Sequence, residues 1–137
     1  MTDNLDPALI EPPSALQNHL GYEMTGWARD HARIELPLAP FLMNRQGLPH
    51  GGIHATLLDT AMGYAGCYTG DPQHPQMALT LSLTVNYLGQ AQGTRLIAEA
   101  RRTGGGKTTF FAEATVHDDT GALIATGTGV FRYRHRR

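Results

Sequence analysis

One helical stretch constrains the fold of this chain more than any other feature. It runs from Gly51 to about Tyr68, with apolar or small side chains recurring at helical spacing: Ile53, Leu57, Leu58, Ala61, Met62 and Ala65. Several of its residues are small, so another layer of structure can approach it closely: Ala55, Ala61, Gly63, Ala65 and Gly66. Such a helix must bury its apolar face against the only large surface that the rest of the chain provides.

The remaining segments alternate like β-strands and supply that surface. The clearest strand covers residues 77–88, where one side carries Leu79, Leu81, Leu83, Val85 and Tyr87 and the other side carries the intervening residues. Further strands are predicted at 22–28, 32–36, 94–103, 108–117 and 122–134, with a hairpin turn at 118–121. We therefore predict an α+β fold: two strands, one helix and a meander of four strands, with a curved antiparallel sheet wrapped around the helix.

The composition describes one ordered globular domain. The chain is 41% hydrophobic and 17% charged, as expected for an ordered globular protein. Its 137 residues are enough for one domain with a hydrophobic core and too few for two domains of ordinary size. We expect an N-terminal segment over 1–20, irregular to residue 13 and then a short helix with Ser14 as N-cap and Gly21 past its end, and one domain over 21–137. The acidic, proline-containing start is not typical of a secretory signal, and the single cysteine, Cys67, fits a reducing cytoplasm.

Charge is distributed unevenly around a net value of −1. The first 40 residues hold six acids against Arg29 and Arg33, whereas residues 95–137 hold eight Arg or Lys against four acids, most densely in the tail RYRHRR. That tail is either a phosphate-binding element or a solvated end. With a pI near 6.6, few aromatic residues and no apolar run that could span a bilayer, we expect neither a nucleic-acid nor a membrane partner.

The helix begins at a pair of glycines whose backbone groups have a chemical use. Gly47 and Pro49 mark a loop, so Gly51 and Gly52 fall where the first free N–H groups of the helix point outward. Without side chains, they let a ligand approach those donors, and a helix start carries about half a positive charge. These features favour a site for a carbonyl oxygen that becomes negative during acyl transfer.

Asp59 is the only carboxylate between Glu35 and Asp71, and it lies on the polar flank of the same helix. It follows Gly51 by eight residues, about 12 Å along the axis, so one carbonyl cannot touch both groups of one chain. If both act on one substrate, Asp59 comes from a second copy whose helix runs antiparallel, which predicts a symmetric dimer with two interfacial sites. The alternative is that Asp59 is a solvated helix residue and the glycines only turn the chain.

These residues form a longer pattern: Asn44-x-x-Gly47-x-x-His50-Gly51-Gly52, then Asp59, then a hydroxyl-bearing strand ending in Asn86-Tyr87-Leu88. Over roughly residues 20–134 the pattern and the order of elements resemble the hotdog-fold acyl-CoA thioesterases, specifically the phenylacetic acid degradation (PaaI-type) group. The resemblance implies a hotdog fold and hydrolysis of an acyl-CoA to free acid and coenzyme A. It also implies no cofactor beyond the coenzyme A of the substrate, and a homo-oligomer that is a dimer or a dimer of dimers, a homotetramer.

The resemblance gives each matching residue a role. Asp59 matches the catalytic carboxylate, a base towards water or a nucleophile, and Gly51 matches the residue whose N–H polarises the thioester carbonyl. Asn44 matches a residue that positions the thioester or the water, His50 lies beside the oxyanion donors, and Thr80 falls near the carboxylate. A thiolate departs well, so a carboxylate, a water and a polarising N–H are sufficient for this chemistry.

One departure from the family concerns the grip on coenzyme A. Many members carry Arg or Lys followed by Pro just after the Tyr-Leu step, where this chain has Gly89-Gln90. We therefore expect other residues to hold the nucleotide: Gly52, Arg101, Arg102 and Lys107. For Gly52 the alternative is a structural role, and for the three basic residues the alternative is a solvated charge near the hairpin. Of these, Lys107 follows Gly106 and matches the family's Gly-basic step.

Other interpretations remain open. His50 and His54 are four apart, a spacing that can chelate zinc, but no Glu adjoins His50 and no third ligand is evident beyond His74, so we expect no metal. A hydratase or dehydratase on this fold would need an Asp and a His close together at the helix entry, and a non-catalytic acyl-CoA-binding domain would have little use for Asp59. The acyl group stays unidentified, because three aromatic residues either line its pocket or belong to the core: Trp27, Tyr64 and Tyr68.

Overall fold

The computed structural model describes residues 5–134, and their elements follow the predicted order. The main helix, α2, spans Gly51–Cys67, as predicted to within one residue. A short helix, α1, and two 3-10 turns precede it, at Ala15–Leu20, Pro7–Leu9 and Pro40–Leu42. The strands are β1 Glu23–Ala28, β2 His31–Pro37, β3 Ala78–Tyr87, β4 Arg95–Gly105, β5 Thr109–Asp118 and β6 Leu123–Tyr133. The end of the basic tail, residues 135–137, lies outside the described residues, as do residues 1–4.

The predicted short helix α1 is confirmed together with its caps. The Ser14 hydroxyl accepts a hydrogen bond from the Gln17 N–H at 3.1 Å, which satisfies one of the free donors of the first turn. Gly21 closes the helix at φ 91°, a left-handed conformation that suits glycine because it has no Cβ. The N-terminal segment is nevertheless not detached from the domain, because Leu9 is buried in its core.

The strands form one antiparallel six-stranded sheet in the order β1-β2-β4-β5-β6-β3, and α2 packs across one face of it. Alternate residues of the central strands point at the helix and form the core, including Leu96, Ala98, Phe110 and Val116. This arrangement confirms the predicted α+β fold with a curved sheet around one helix. Among residues 5–134, no helix is long and apolar enough to cross a membrane.

The prediction of a four-strand meander is wrong at its first strand. β3 pairs with β6 at the edge of the sheet, and β4 pairs with β2 and β5 instead of β3. The seven residues 88–94 make this crossing, which covers three strand spacings, about 14 Å, and so lies well within their reach. The crossing is held by two carboxylates: Asp118 accepts from the N–H groups of Gln92 and Gly93, and Asp119 accepts from Thr94.

Candidate active site

The start of α2 is organised by the His50 side chain. His50 is the N-cap, and its Nδ1 accepts a hydrogen bond from the Gly52 N–H at 2.9 Å. The expectation that Gly52 offers a free donor is therefore wrong, because this N–H is already bonded. A Cβ at Gly52 would lie 3.1 Å from Nδ1, so the absent side chain instead makes room for the imidazole.

Gly51 keeps the free donor at the helix start. The Ile53 N–H, which follows that of Gly52 along the helix, is bonded to the His50 carbonyl. The Gly51 N–H has no acceptor within residues 5–134. On the other side of Gly51, the Tyr87 hydroxyl donates to its carbonyl oxygen at 2.7 Å. The Tyr87 ring would lie 3.3 Å from a Cβ at Gly51. Tyr87 is thus a positioning residue; the sequence pattern included it at the end of β3 but gave it no role.

Asp59 and Thr80 meet as expected from the family pattern. The Thr80 hydroxyl donates to Asp59 Oδ1 at 2.8 Å, which fixes the orientation of the half-buried carboxylate. The second oxygen, Oδ2, accepts no hydrogen bond from the part of the chain that is described. The carboxylate is therefore held by one oxygen and available through the other.

A β-bulge in β3 lets both Thr80 and Tyr87 face α2. The register with β6 shifts between Thr80 and Ser82, so that Leu81 has no partner and the alternation changes phase. The prediction that all five large side chains of this strand share one face is wrong for this reason. Leu83 and Val85 pack against the core, whereas two residues remain more than half exposed, Leu79 at 54% and Leu81 at 58%.

Asn44 shapes the loop that leads into α2. Its Oδ1 accepts from the N–H groups of Gln46 and Leu48, at 2.8 and 3.2 Å, and its own N–H donates to the Leu48 carbonyl. The amide oxygen is therefore engaged in the loop, and only its NH₂ group is left to position a substrate or a water. Whether it does so stays a prediction.

The structure brings Gly51 and Asp59 onto one helix but not into one site. Both lie on α2, eight residues apart, so the estimate of about 12 Å along the axis applies. Within one chain, the donor and the carboxylate cannot reach the same carbonyl group.

The three basic residues expected to hold coenzyme A lie in different surroundings. Arg101 lies on the face of the sheet opposite α2 and binds Glu113 at 2.7 Å, so within one chain it is separated from Asp59 by the sheet. Arg102 is half-buried near the Tyr133 ring, and Lys107 is exposed in the β4–β5 turn. Because the predicted site is shared between two chains, these single-chain positions do not decide which of the three holds coenzyme A, and all three stay predictions.

His54 is almost fully buried and does not join His50 in a metal site. It is 5% exposed, its ring lies 6.0 Å from that of Tyr87, and its Nδ1 has no hydrogen-bond partner among residues 5–134. Burial lowers the pKa of His54 below its ordinary value, so the ring is neutral at physiological pH. In the described part of the chain, no three His, Cys, Asp or Glu residues are grouped to hold a metal ion.

A cavity of about 220 Å³ adjoins Asp59 and Thr80. Its wall includes Tyr64, so this predicted pocket residue does face it, whereas Trp27 and Tyr68 are not part of the wall. Glu11 also lines it, which the sequence did not suggest. A larger recess of about 500 Å³ lies on the outer face of the sheet beside Arg101, away from the helix, and so offers no access to the Asp59 carboxylate.

Similarity to known proteins identifies the family. The profile of the thioesterase superfamily matches residues 46–125, more than half of the chain, and this range includes both the helix start and Asp59. The chain belongs to the thioesterase superfamily. Its resemblance to the hotdog thioesterases is thereby confirmed, and thioester hydrolysis is the general activity that this membership supports.

Two curated relatives of this superfamily member are named as candidate esterases. The one from Pseudomonas aeruginosa is 35% identical over 89 residues, which cover 64% of each chain. The one from Halobacterium salinarum is 33% identical over 126 residues, which cover 85% of this chain and 83% of the relative. The matched part thus spans slightly less than two thirds of the Pseudomonas relative.

Solved structures show the same fold. A conserved protein from Pseudomonas aeruginosa has a TM-score of 0.81 at 28% identity, covering 93% of this chain and 97% of that chain. A Bacillus halodurans protein solved with CoA has a TM-score of 0.74 at 35% identity, covering 90% and 78%. The E. coli PaaI protein of the phenylacetic acid degradation operon has a TM-score of 0.78 at 21% identity, covering 89% and 86%, which shows the fold alone.

Proposed function

We propose that this protein hydrolyses acyl-CoA thioesters to a free acid and coenzyme A. One observation carries the proposal: a free N–H at Gly51, at the start of a helix, combined with an Asp59 carboxylate that Thr80 holds in place. The first group can stabilise an oxyanion and the second can activate water or attack directly. The Bacillus halodurans relative, solved with CoA at 35% identity, supports coenzyme A as the thiol part of the substrate.

The chemistry needs only these groups and water. The thioester oxygen accepts a hydrogen bond from the Gly51 N–H, which stabilises the negative charge that grows on it. Asp59 takes a proton from water as the water oxygen attacks the carbonyl carbon, or its own oxygen attacks to form an anhydride that water then hydrolyses. In both routes the carbon–sulfur bond breaks, the thiolate of coenzyme A departs, and the acyl group leaves as a carboxylic acid.

A symmetric dimer would complete the site. The ten-residue strand β3 lies at the sheet edge, and several large apolar side chains on it and just beyond it are about half exposed: Met77, Leu79, Leu81, Tyr87 and Leu88. Long apolar edge strands are a liability unless something covers them. Antiparallel pairing of β3 with β3 of a second copy would cover this edge and set the two α2 helices antiparallel, so that Gly51 of one chain faces Asp59 of the other.

The direct test is release of free thiol from a panel of acyl-CoAs with short, long and aromatic acyl groups. We expect steady turnover on at least one of them and a fall of about 10²-fold or more in Asp59→Asn, which keeps the size and removes the base. Thr80→Ser is the matched control, because it keeps the hydroxyl that orients the carboxylate. An Asp59→Asn variant with near-native turnover contradicts the assignment.

The same panel separates the other functions. Tight acyl-CoA binding without thiol release would indicate the binding domain. Conversion of an unsaturated acyl-CoA with the thioester intact would indicate the hydratase. The hydratase has no observation in its favour, because the nearest histidine along α2, His54, is neutral and buried against Tyr87 instead of facing Asp59. A binding domain would leave the Asp59 carboxylate that Thr80 holds in place without a use.

A further inference from the structure

The N-terminal segment over residues 5–13, here called the strap, crosses the second half of α2. It is anchored by Leu9, which is buried in the core, and the 3-10 turn around Leu9 is capped from within the strap by Asp6, whose carboxylate accepts from the Ala8 N–H at 2.9 Å. Beyond this turn the strap has no regular structure. Its position is therefore set by side-chain contacts.

One such contact lies in the wall of the cavity beside Asp59. The Tyr64 hydroxyl, on α2, donates to Glu11 Oε1 at 3.2 Å, which joins the strap to the helix across 53 positions of sequence. Glu11 and Tyr64 both line the 220 Å³ cavity, together with Asp59 and Thr80. The carboxylate raises the pKa of Tyr64 further above the value that burial gives it, so the hydroxyl stays protonated and remains a donor.

Glu11 also forms part of the wall of two neighbouring cavities. One of about 240 Å³ shares Glu11 and Tyr64 with the cavity beside Asp59, and one of about 460 Å³ shares Glu11, Cys67 and Met77 with it. The strap residues around Glu11 therefore partition what would otherwise be a longer groove along α2.

We propose that the strap, through Glu11 and its bond to Tyr64, closes the distal end of the acyl pocket and restricts this enzyme to compact acyl groups, such as a short chain or a single ring. The proposal rests on the proposed function, because it takes the cavity beside Asp59 as the acyl pocket. Glu11 is then a specificity-determining residue of that pocket.

Two physical effects act in the same direction. The cavity beside Asp59 measures about 220 Å³ and Glu11 forms part of its wall, so lengthening the acyl chain brings it against this side chain. A chain that pushes past Glu11 would break its bond with Tyr64 and place methylene groups against a carboxylate, which is costly because the charge loses solvent without gaining a partner. Beyond the strap, however, space for a longer chain already exists.

The test measures kcat/KM along a series of straight-chain acyl-CoAs from acetyl to dodecanoyl. We expect the wild type to favour the short members, and Glu11→Ala to raise the ratio of dodecanoyl to butanoyl kcat/KM by about tenfold or more. Glu11→Gln is the matched control: it keeps the volume and an acceptor for Tyr64, so the ratio rises less. Tyr64→Phe, which removes the donor, should move the ratio in the same direction as Glu11→Ala.

Two outcomes overturn the proposal. The first is an unchanged ratio of dodecanoyl to butanoyl kcat/KM in folded Glu11→Ala, and the second is a wild-type protein that prefers dodecanoyl-CoA.

Binding measurements separate this proposal from the hydrolase assignment. Dissociation constants for butanoyl- and dodecanoyl-CoA are measured on Asp59→Asn with and without Glu11→Ala. If no wild-type hydrolysis occurs but the preference for the short chain is present and lost with Glu11, the strap proposal stands and the hydrolase proposal fails. If Glu11→Ala leaves the preference in binding unchanged, the strap proposal fails by itself.

Discussion

The oxyanion role of Gly51 can be tested in the variant Gly51→Pro, which replaces the N–H hydrogen with a ring carbon. Gly51 is the first helical residue of α2, the position at which proline is favoured because its missing N–H was unbonded within the helix anyway. The preceding residue, His50, already has φ −60° and ψ 137°, the extended conformation that a residue before proline requires. No acceptor within residues 5–134 loses a bond.

The expected magnitude follows from what the N–H would do in the transition state. Loss of one oxyanion donor costs about 10²–10³-fold in kcat. The control is Gly51→Ala, which keeps the N–H and adds a Cβ at the same place, 3.3 Å from the ring of Tyr87. Accommodating this Cβ needs the Tyr87 ring to move by only a few tenths of an ångström, so we expect only a small effect of the control on kcat.

The assay is thiol release from the best acyl-CoA under saturating conditions, together with thermal unfolding of both variants. Both substitutions reduce the freedom of the unfolded chain, by about 0.4–1 kcal/mol, so the melting temperature should not fall. If folded Gly51→Pro retains the turnover of Gly51→Ala, the N–H does not stabilise the oxyanion and our interpretation of the helix start is refuted.

Three further predictions concern assembly, substrate grip and pH. Mixing Asp59→Asn with Gly51→Pro chains should restore about one quarter of the wild-type turnover, because half of the dimers are mixed and each has one intact site; no recovery after verified exchange contradicts a shared site. Replacing Arg102 and Lys107 together by Ala should raise KM for acyl-CoA, leave kcat nearly unchanged and weaken the salt dependence of kcat/KM; an unchanged KM would show that both are solvated charges. Burial lowers the pKa of His54 below 6.5, so on acidification His54 takes up its proton in the unfolded chain before it does so in the folded protein. The free energy of unfolding should therefore fall as pH drops through about 6.5. Urea titrations should show a flatter pH dependence of this free energy in His54→Phe.

Local patterns in the sequence predicted the elements well. The helix over 51–67 and all six strands are signalled by the spacing of their own side chains, and the helix caps by Ser14 and Gly21. The order of strands was harder, since no residue near 88–94 indicates whether the chain turns back or crosses to another strand. Pairing depends on distant partners, and a seven-residue connection permits both.

The candidate site shows the same division. The family pattern anticipated that Thr80 lies near Asp59, because the residues of the pattern are in fixed positions along the chain. It did not reveal that His50 occupies the Gly52 N–H, which depends on one side-chain rotation, or that Glu11 reaches Tyr64 from 53 positions away. Contacts of that kind arise from the path of an irregular segment, on which periodicity carries no information.

The bulge at Leu81 makes the length of one short segment more important than its composition. Thr80 and Tyr87 are seven residues apart, an odd number, and both can face the helix only because the strand contains one unpaired residue between them. Deleting or inserting a single residue there would turn one of the two side chains to the opposite face, whatever amino acids were used. We therefore expect this interval to be more sensitive to a change in length than to most substitutions at its exposed positions.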